Sequence, residues 1–167
     1  GVLDLLDGYA NNTWVFFDTE TTGLQPSSSQ LTEIGAIAVD PNTWNSDATI
    51  LDQFNEKIKL TDASERLLND PESPERKAWE KGNKGARNPL KDPQAVLSMT
   101  RYGEKGRSFG DEQEVLDQFF KWCSGFSNPL FIAQNASFDL KFLSVRSGGK
   151  LPKYPALDTR ELMEMYL

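Results

Sequence analysis

Hydrophobic positions along this chain fall into two regular stretches with an irregular one between them. Thr13-Trp14-Val15-Phe16-Phe17-Asp18 is dense in β-branched and aromatic residues and runs into a Thr/Gly-rich turn, which predicts a buried strand ending at Asp18. Leu31 to Val39 predicts a second strand, closed by Asp40-Pro41-Asn42, and the alternation in Thr49 to Ile58 predicts a third. The turns between them imply an antiparallel meander at the start of the sheet. From Leu60 to Gly110 the pattern loosens, with Pro71, Pro74, Pro89 and Pro93 spread among charges and glycines. This stretch reads as an irregular insertion, with short helices near Ala63 to Leu68 and Glu75 to Lys81. Periodicity returns at Asp111, where Asp111 and Glu114 form a capping pair ahead of an apolar stripe of Val115, Leu116, Phe119, Phe120 and Cys123. Pro129 to Ala133 is short and continuously apolar, as a strand buried on both faces would be, and Phe138 to Arg146 follows as a helix. A strand at Ala156 to Asp158 and a helix from Thr159 to Leu167 complete the pattern. The expectation is an α/β fold in a single domain over residues 1–167: a mixed sheet, antiparallel in its first three strands and parallel afterwards, flanked by α-helices.

Composition changes this picture in three ways. A hydrophobic content of 38% over 167 residues suits one buried core, and no stretch has the length or the flanks of a signal peptide or a membrane span. The single Cys123, set among apolar neighbours, reads as a buried thiol, and a cytoplasmic setting without a membrane is expected. The absence of histidine removes His-based triads, His-ligated zinc and any imidazole base from this chain. The net charge of −7 argues at first against a nucleic-acid partner. Yet Arg76 to Arg107 holds nine basic residues against three acids, a +6 segment that leaves −13 elsewhere. That segment reads equally as a phosphate-attracting arm or as a solvated basic loop.

The acids are where chemistry is expected. Asp18 and Glu20 lie two apart at a strand end, so both side chains face one side and can meet one metal ion. A polar hairpin turn over Asp18 to Gly23 is the competing reading. An EF-hand loop is excluded because Ser29, not Glu, stands at its twelfth position. Asp139, in the first turn of the helix after a core strand, is by itself an ordinary dipole partner. Its place at the end of a central strand would let it face Asp18 and Glu20, giving the hard oxygen cluster that Mg²⁺ or Mn²⁺ prefers.

Asp18-Thr19-Glu20-Thr21-Thr22-Gly23-Leu24 resembles the first motif of the DEDD exonucleases, the superfamily of polymerase proofreading domains, the bacterial replicative epsilon subunit and several RNA-trimming enzymes. Asn135-Ala136-Ser137-Phe138-Asp139 resembles the second motif, Glu33-Ile34-Gly35-Ala36 the family's second strand, and Leu157-Asp158-Thr159 an element after the second motif. The likeness covers Thr13 to Val39 and Leu130 to Leu167 and leaves the middle unmatched. It implies a ribonuclease-H-like fold and 3′-to-5′ hydrolysis of terminal phosphodiesters by a two-metal mechanism with Mg²⁺ or Mn²⁺. It also implies catalytic and metal-binding roles for Asp18, Glu20 and Asp139. Substrate contacts would come from Thr21, Thr22, Gly23, Leu24, Asn135 and Phe138, although Phe138 reads equally as core packing against Phe142. Glu33 is expected in a supporting polar role. The implied partner is the 3′ end of single-stranded DNA or RNA, DNA being favoured although no residue is diagnostic for a 2′-hydroxyl, together with a polymerase or other replication protein.

The superfamily pattern also has a third motif, a fourth Asp with a His or Tyr that deprotonates water. That motif is expected beyond Leu167, so the chain is expected to be a C-terminally truncated, catalytically incomplete domain. Tyr154 and Asp158 have one subfamily's spacing, but Pro155 disfavours a helix spanning them, and Asp158 reads better as a cap with Glu161. Gln134 stands where many relatives have His. A rival of another class is a catalytically inactive nucleic-acid-binding domain on the same fold.

Overall fold

A computed structural model describes residues 7–43, 50–86, 92–100 and 109–161. Its centre is a five-stranded sheet of β1 (Thr13–Thr21), β2 (Leu31–Val39), β3 (Ile50–Lys57), β4 (Pro129–Ala133) and β5 (Ala156–Asp158) in the order β3-β2-β1-β4-β5. The first three pair antiparallel, while β4 pairs parallel to β1 and β5 parallel to β4, as the pattern predicts. One correction bears on the site. β1 does not end at Asp18 but runs on to Thr21, because Asp18, Thr19 and Glu20 continue the ladder opposite Gly35, Ile34 and Glu33. Thr19 and Thr21 suit a pleated strand, and the register shifts only between Glu20 and Thr21. Asp18 and Glu20 are therefore strand residues, on rigid backbone.

Alternation along β1 sends Val15, Phe17 and Thr19 to one face and leaves Asp18 and Glu20 exposed on the other. The first face is covered by α4 (Glu112–Ser124) and α5 (Ala136–Arg146), whose Val115, Leu116, Phe119, Cys123, Phe142 and Leu143 form the main core with it. On the second face Trp14, Val39, Leu130 and Ile132 make a smaller cluster. Burial pushes the Cys123 thiol up to about 12. It is therefore expected to resist a water-soluble disulfide reagent in the native protein and to react at once after denaturation; fast native labelling would contradict this packing.

The middle segment is more ordered than its composition suggests. Its described part holds α1 (Asp62–Asn69), α2 (Pro74–Gly82) and α3 (Pro93–Thr100). Thr61 caps α1 through the Ser64 N–H at 3.2 Å, and Ser73 caps α2 through the Arg76 N–H at 3.1 Å. The Arg76 guanidinium then donates to the carbonyls of Leu67 and Leu68, tying α2 to the end of α1. Leu60, Leu67, Leu68, Trp79 and Val96 form a satellite core. The helix beginning at Pro93 lies in a stretch read as irregular, and proline fits its first turn. Arg87, Lys91, Arg101, Lys105 and Arg107, five of the nine basic residues, lie outside the described residues, as does the end of the helix expected over Thr159 to Leu167.

The expected capping pair at α4 does not form. Asp111 occupies the N-cap without a side-chain cap bond, and Glu114 is exposed. Glu112 is the buried acid instead: it accepts from the Leu31 N–H at 2.9 Å and from Arg146 at 2.7 Å. Arg146 also donates to the Pro26 carbonyl at 3.2 Å, so one ion pair joins α4, α5 and the β1–β2 connection. Among the described residues no helix is long and apolar enough to cross a membrane.

Candidate metal and nucleic-acid site

Asp139 is 3% exposed. It stands in the first turn of α5, which starts beyond the end of β4 and so lies beside the distal half of β1. Thr19, on the inward face of β1, donates its hydroxyl proton to Asp139 Oδ1. Burial pushes the Asp139 carboxyl up to about 6, the Thr19 hydrogen bond pulls the other way, and the charges of Asp18 and Glu20 add to the rise. Glu20 is also held above the usual carboxylate range, first by desolvation, then by Asp18 and Glu33, with Lys57 opposing. The sequence missed Thr19 as Asp139's partner; its inward phase between two outward acids was the available signal.

Glu20, Glu33 and Lys57 lie in one row across β1, β2 and β3, with Lys57 Nζ 3.0 Å from Glu33 Oε2. Beside Asp18 a cleft of about 460 Å³ opens over the sheet, with Phe16, Gly35 and Asn55 among its lining. Gly35 pairs with Asp18, and a Cβ there would meet nothing within 4 Å, so the space above the carboxylate stays open. Among the described residues no three acidic or sulfur-bearing side chains already converge closely enough to enclose an ion. In this arrangement Asp139 is engaged with Thr19, while Asp18 and Glu20 face outward. The donors nevertheless suit a hard divalent cation. All three are carboxylates, and Glu20 and Asp139 are raised in pKa by burial and by neighbouring acids, Asp18 among them, so a cation would relieve the strain of their charge.

Asp158 does more than the expected cap. It accepts from the Arg160 N–H at 2.9 Å at the start of the helix that begins at Thr159, and also from the backbone N–H groups of Asn135 and Ala136 at 3.2 and 3.0 Å. These bonds hold its carboxyl below the usual range. They fix the head of α5, where Asn135 takes a left-handed conformation (φ 59°, ψ 48°) and accepts from Arg160 at 2.8 Å. Asp158 thus helps aim Asp139. Tyr154 is packed on Phe131, ring centroids 5.6 Å apart.

Of the remaining predicted residues, Thr22 faces inward. Its N–H donates to the Gln30 carbonyl and its hydroxyl accepts the Gln30 N–H, both at 3.0 Å, so it holds the loop instead of offering its polar groups outward. Thr21 is half-buried and donates to the Gly23 carbonyl at 2.7 Å. Gly23 is buried, and Leu24 is half-buried with its N–H bound to Asn83 Oδ1 at 2.9 Å. Phe138 packs on Phe142 with ring centroids 5.0 Å apart while staying partly exposed.

Comparison with known proteins agrees with this architecture. Residues 15–68 match the RNase_T exonuclease family. A PolC-type DNA polymerase III of Staphylococcus haemolyticus is 28% identical over 154 residues, which is 90% of this chain and 8% of that protein. Exonuclease I in its apo form superposes over 92% of this chain and 30% of its own, with a TM-score of 0.54 at 13% identity. Escherichia coli Exonuclease I in complex with a dA16 oligonucleotide does so over 92% of this chain and 29% of its own, with a TM-score of 0.52 at 14% identity. The chain thus spans less than a third of these solved chains and under a tenth of the polymerase. With its two motifs, its match to the exonuclease family over residues 15–68 and its strand order taken together, the chain is similar to the DEDD exonucleases and has the ribonuclease-H-like fold.

Proposed function

We propose that this domain removes nucleotides from the 3′ end of single-stranded nucleic acid, DNA in preference to RNA, with Asp18, Glu20 and Asp139 holding two Mg²⁺ or Mn²⁺ ions. The observation that carries this reading is the buried Asp139 carboxyl, raised in pKa by desolvation beside two further acids on a neighbouring strand. Such a group is costly as an isolated anion, and a cation offsets that cost. When bound, the ions polarise the scissile phosphate and lower the pKa of the attacking water. The chain's own residues hold the ligands rigidly: β1 fixes Asp18 and Glu20, and Asp158 fixes the head of α5. The half-buried Thr21 and Leu24 at the edges of the loop and the partly exposed edges of Asn135 and Phe138 seat the terminal nucleotide, with Thr22 and Gly23 holding the loop in shape.

We propose further that residues 1–167 belong to one exonuclease-like domain, in which no fourth carboxylate paired with a water-activating His or Tyr is identified among the described residues. Tyr154 and Asp158 are poor substitutes, being committed to packing on Phe131 and to the head of α5. A polymerase or other replication protein is the fitting macromolecular partner, given the PolC-type relative.

Two measurements test this. Mn²⁺ or Mg²⁺ is expected to raise the melting temperature of the chain, and Asp18→Asn is expected to remove most of the gain, because the ions bind only the native carboxylates. Metal-insensitive melting of both proteins would count against the site. With the full-length protein and Mg²⁺, a 5′-labelled single strand is expected to shorten stepwise from its 3′ end. Tight binding without shortening would favour the binding-module reading, and cleavage from the 5′ end would overturn the direction.

A further inference from the structure

The loop after β1 is held by the middle segment of the chain. Trp79 Nε1 donates to the Thr22 carbonyl at 2.8 Å, and Asn83 Oδ1 accepts the Leu24 N–H at 2.9 Å. Both side chains are buried, Trp79 at 1% exposure and Asn83 at 3%. Gly23, between the two bonded residues, leaves α2 no clearance. A Cβ there would lie 2.8 Å from both Trp79 Nε1 and Asn83 Oδ1, and 2.3 Å from Ser29 Oγ. α2 is itself anchored, through Arg76 to the end of α1 and through Trp79 to the satellite core. A continuous run of packed and hydrogen-bonded groups therefore joins α1, α2 and the backbone of Thr22 to Leu24. Lys81 and Lys84, exposed on either side of Asn83, are carried by the same rigid unit.

We propose that α2 is the substrate-positioning element of this site, with Trp79 and Asn83 as positioning residues that set the Thr22–Leu24 backbone where the terminal nucleotide is seated. The inference rests on the reading of that loop as the nucleotide's seat. It gives the middle segment a specific role, in which α2 braces the loop without touching the metal-binding carboxylates.

The test separates nucleic-acid affinity from metal affinity. Trp79→Phe keeps a ring in the satellite core and removes the N–H; Asn83→Leu removes the acceptor, and Asn83→Asp keeps an acceptor oxygen. Binding of a 5′-fluorescent four-nucleotide oligothymidylate is followed by anisotropy in Mn²⁺, and the Mn²⁺-induced melting shift is recorded for each protein. Trp79→Phe and Asn83→Leu are expected to weaken oligonucleotide binding by about tenfold each, the scale of one lost hydrogen bond. Both should keep the parent's Mn²⁺ shift, and Asn83→Asp should bind within about threefold of the parent. Unchanged oligonucleotide affinity in folded Trp79→Phe and Asn83→Leu would overturn the inference. So would a parallel loss of the Mn²⁺ shift, which would mark a general loosening of the fold. A parent protein that shows the Mn²⁺ shift but does not bind the oligonucleotide would remove the reading beneath the proposal, and that outcome is recognisable without any variant.

Discussion

Replacing Asp139 with Asn is expected to slow 3′-end hydrolysis on the order of 10³-fold or more, while making the metal-free protein more stable than its parent at pH 7. On the two-metal reading proposed above, the first effect follows from losing one of the ligands assigned to the ions, which would remove several kcal/mol of charge stabilisation. The second follows from linkage. The folded-state pKa of Asp139 is raised from 3.8 to about 6, so burying its neutral form favours the native state. That contribution is fully present below the unfolded pKa and is lost as pH rises through about 6. Above pH 7 the native state holds an unfavourable anion, at a cost of about 3 kcal/mol. Asn cannot ionise, and its side-chain oxygen can still accept from Thr19, so the variant's melting temperature should lack this fall between about pH 4 and pH 6.5. Metal should reverse the order by stabilising only the parent. Parallel pH profiles for the two proteins in chelator would show that Asp139 ionises without cost and would remove the electrostatic basis of the site.

Arg146→Ala is expected to destabilise the domain by about 3–5 kcal/mol, the usual cost of leaving one member of a buried ion pair without its partner. Glu112 would keep the Leu31 N–H but lose both guanidinium contacts in a largely dry environment, and Pro26 would lose its donor. The double variant Arg146→Ala with Glu112→Gln should recover part of the loss, because no charge then stays buried. Urea denaturation of the parent and the variants measures this. A loss below about 1 kcal/mol for Arg146→Ala would mean that water reaches Glu112 freely.

How far the sequence reveals this domain depends on the range of the interaction concerned. Every strand expected from periodicity is present, and the stripe from Val115 to Cys123 is buried as read, because alternation and helical phase are set by burial alone. The two motifs and the shared face of Asp18 and Glu20 were equally legible. What escaped depends on partners distant in the chain. Asp158 is the local cap it looks like, and only the adjacency of β4 and β5 adds its bonds to Asn135 and Ala136. Glu112 looks like one of several first-turn acids until Arg146, one helix later in the fold, is brought against it. The end of β1 was misplaced because Thr and Gly suggest a turn, whereas pairing with β2 decides where a ladder stops. Trp79 offered a usable hint, as a large aromatic in a charged segment has to find cover, but nothing nearby names Thr22 as the acceptor of its indole proton.

The sheet order also shapes how the domain comes into being. β1 lies between β2, which is made soon after it, and β4, which begins only at Pro129. During synthesis, the Thr13–Phe16 side that later pairs with Pro129–Ile132 is an open, apolar strand edge until more than a hundred further residues have been made. Such edges recruit foreign strands. The strand that carries Asp18 and Glu20 is thus the one most exposed to mispairing in a nascent chain, and a chaperone shielding one segment of this protein would do most good at Thr13–Phe16.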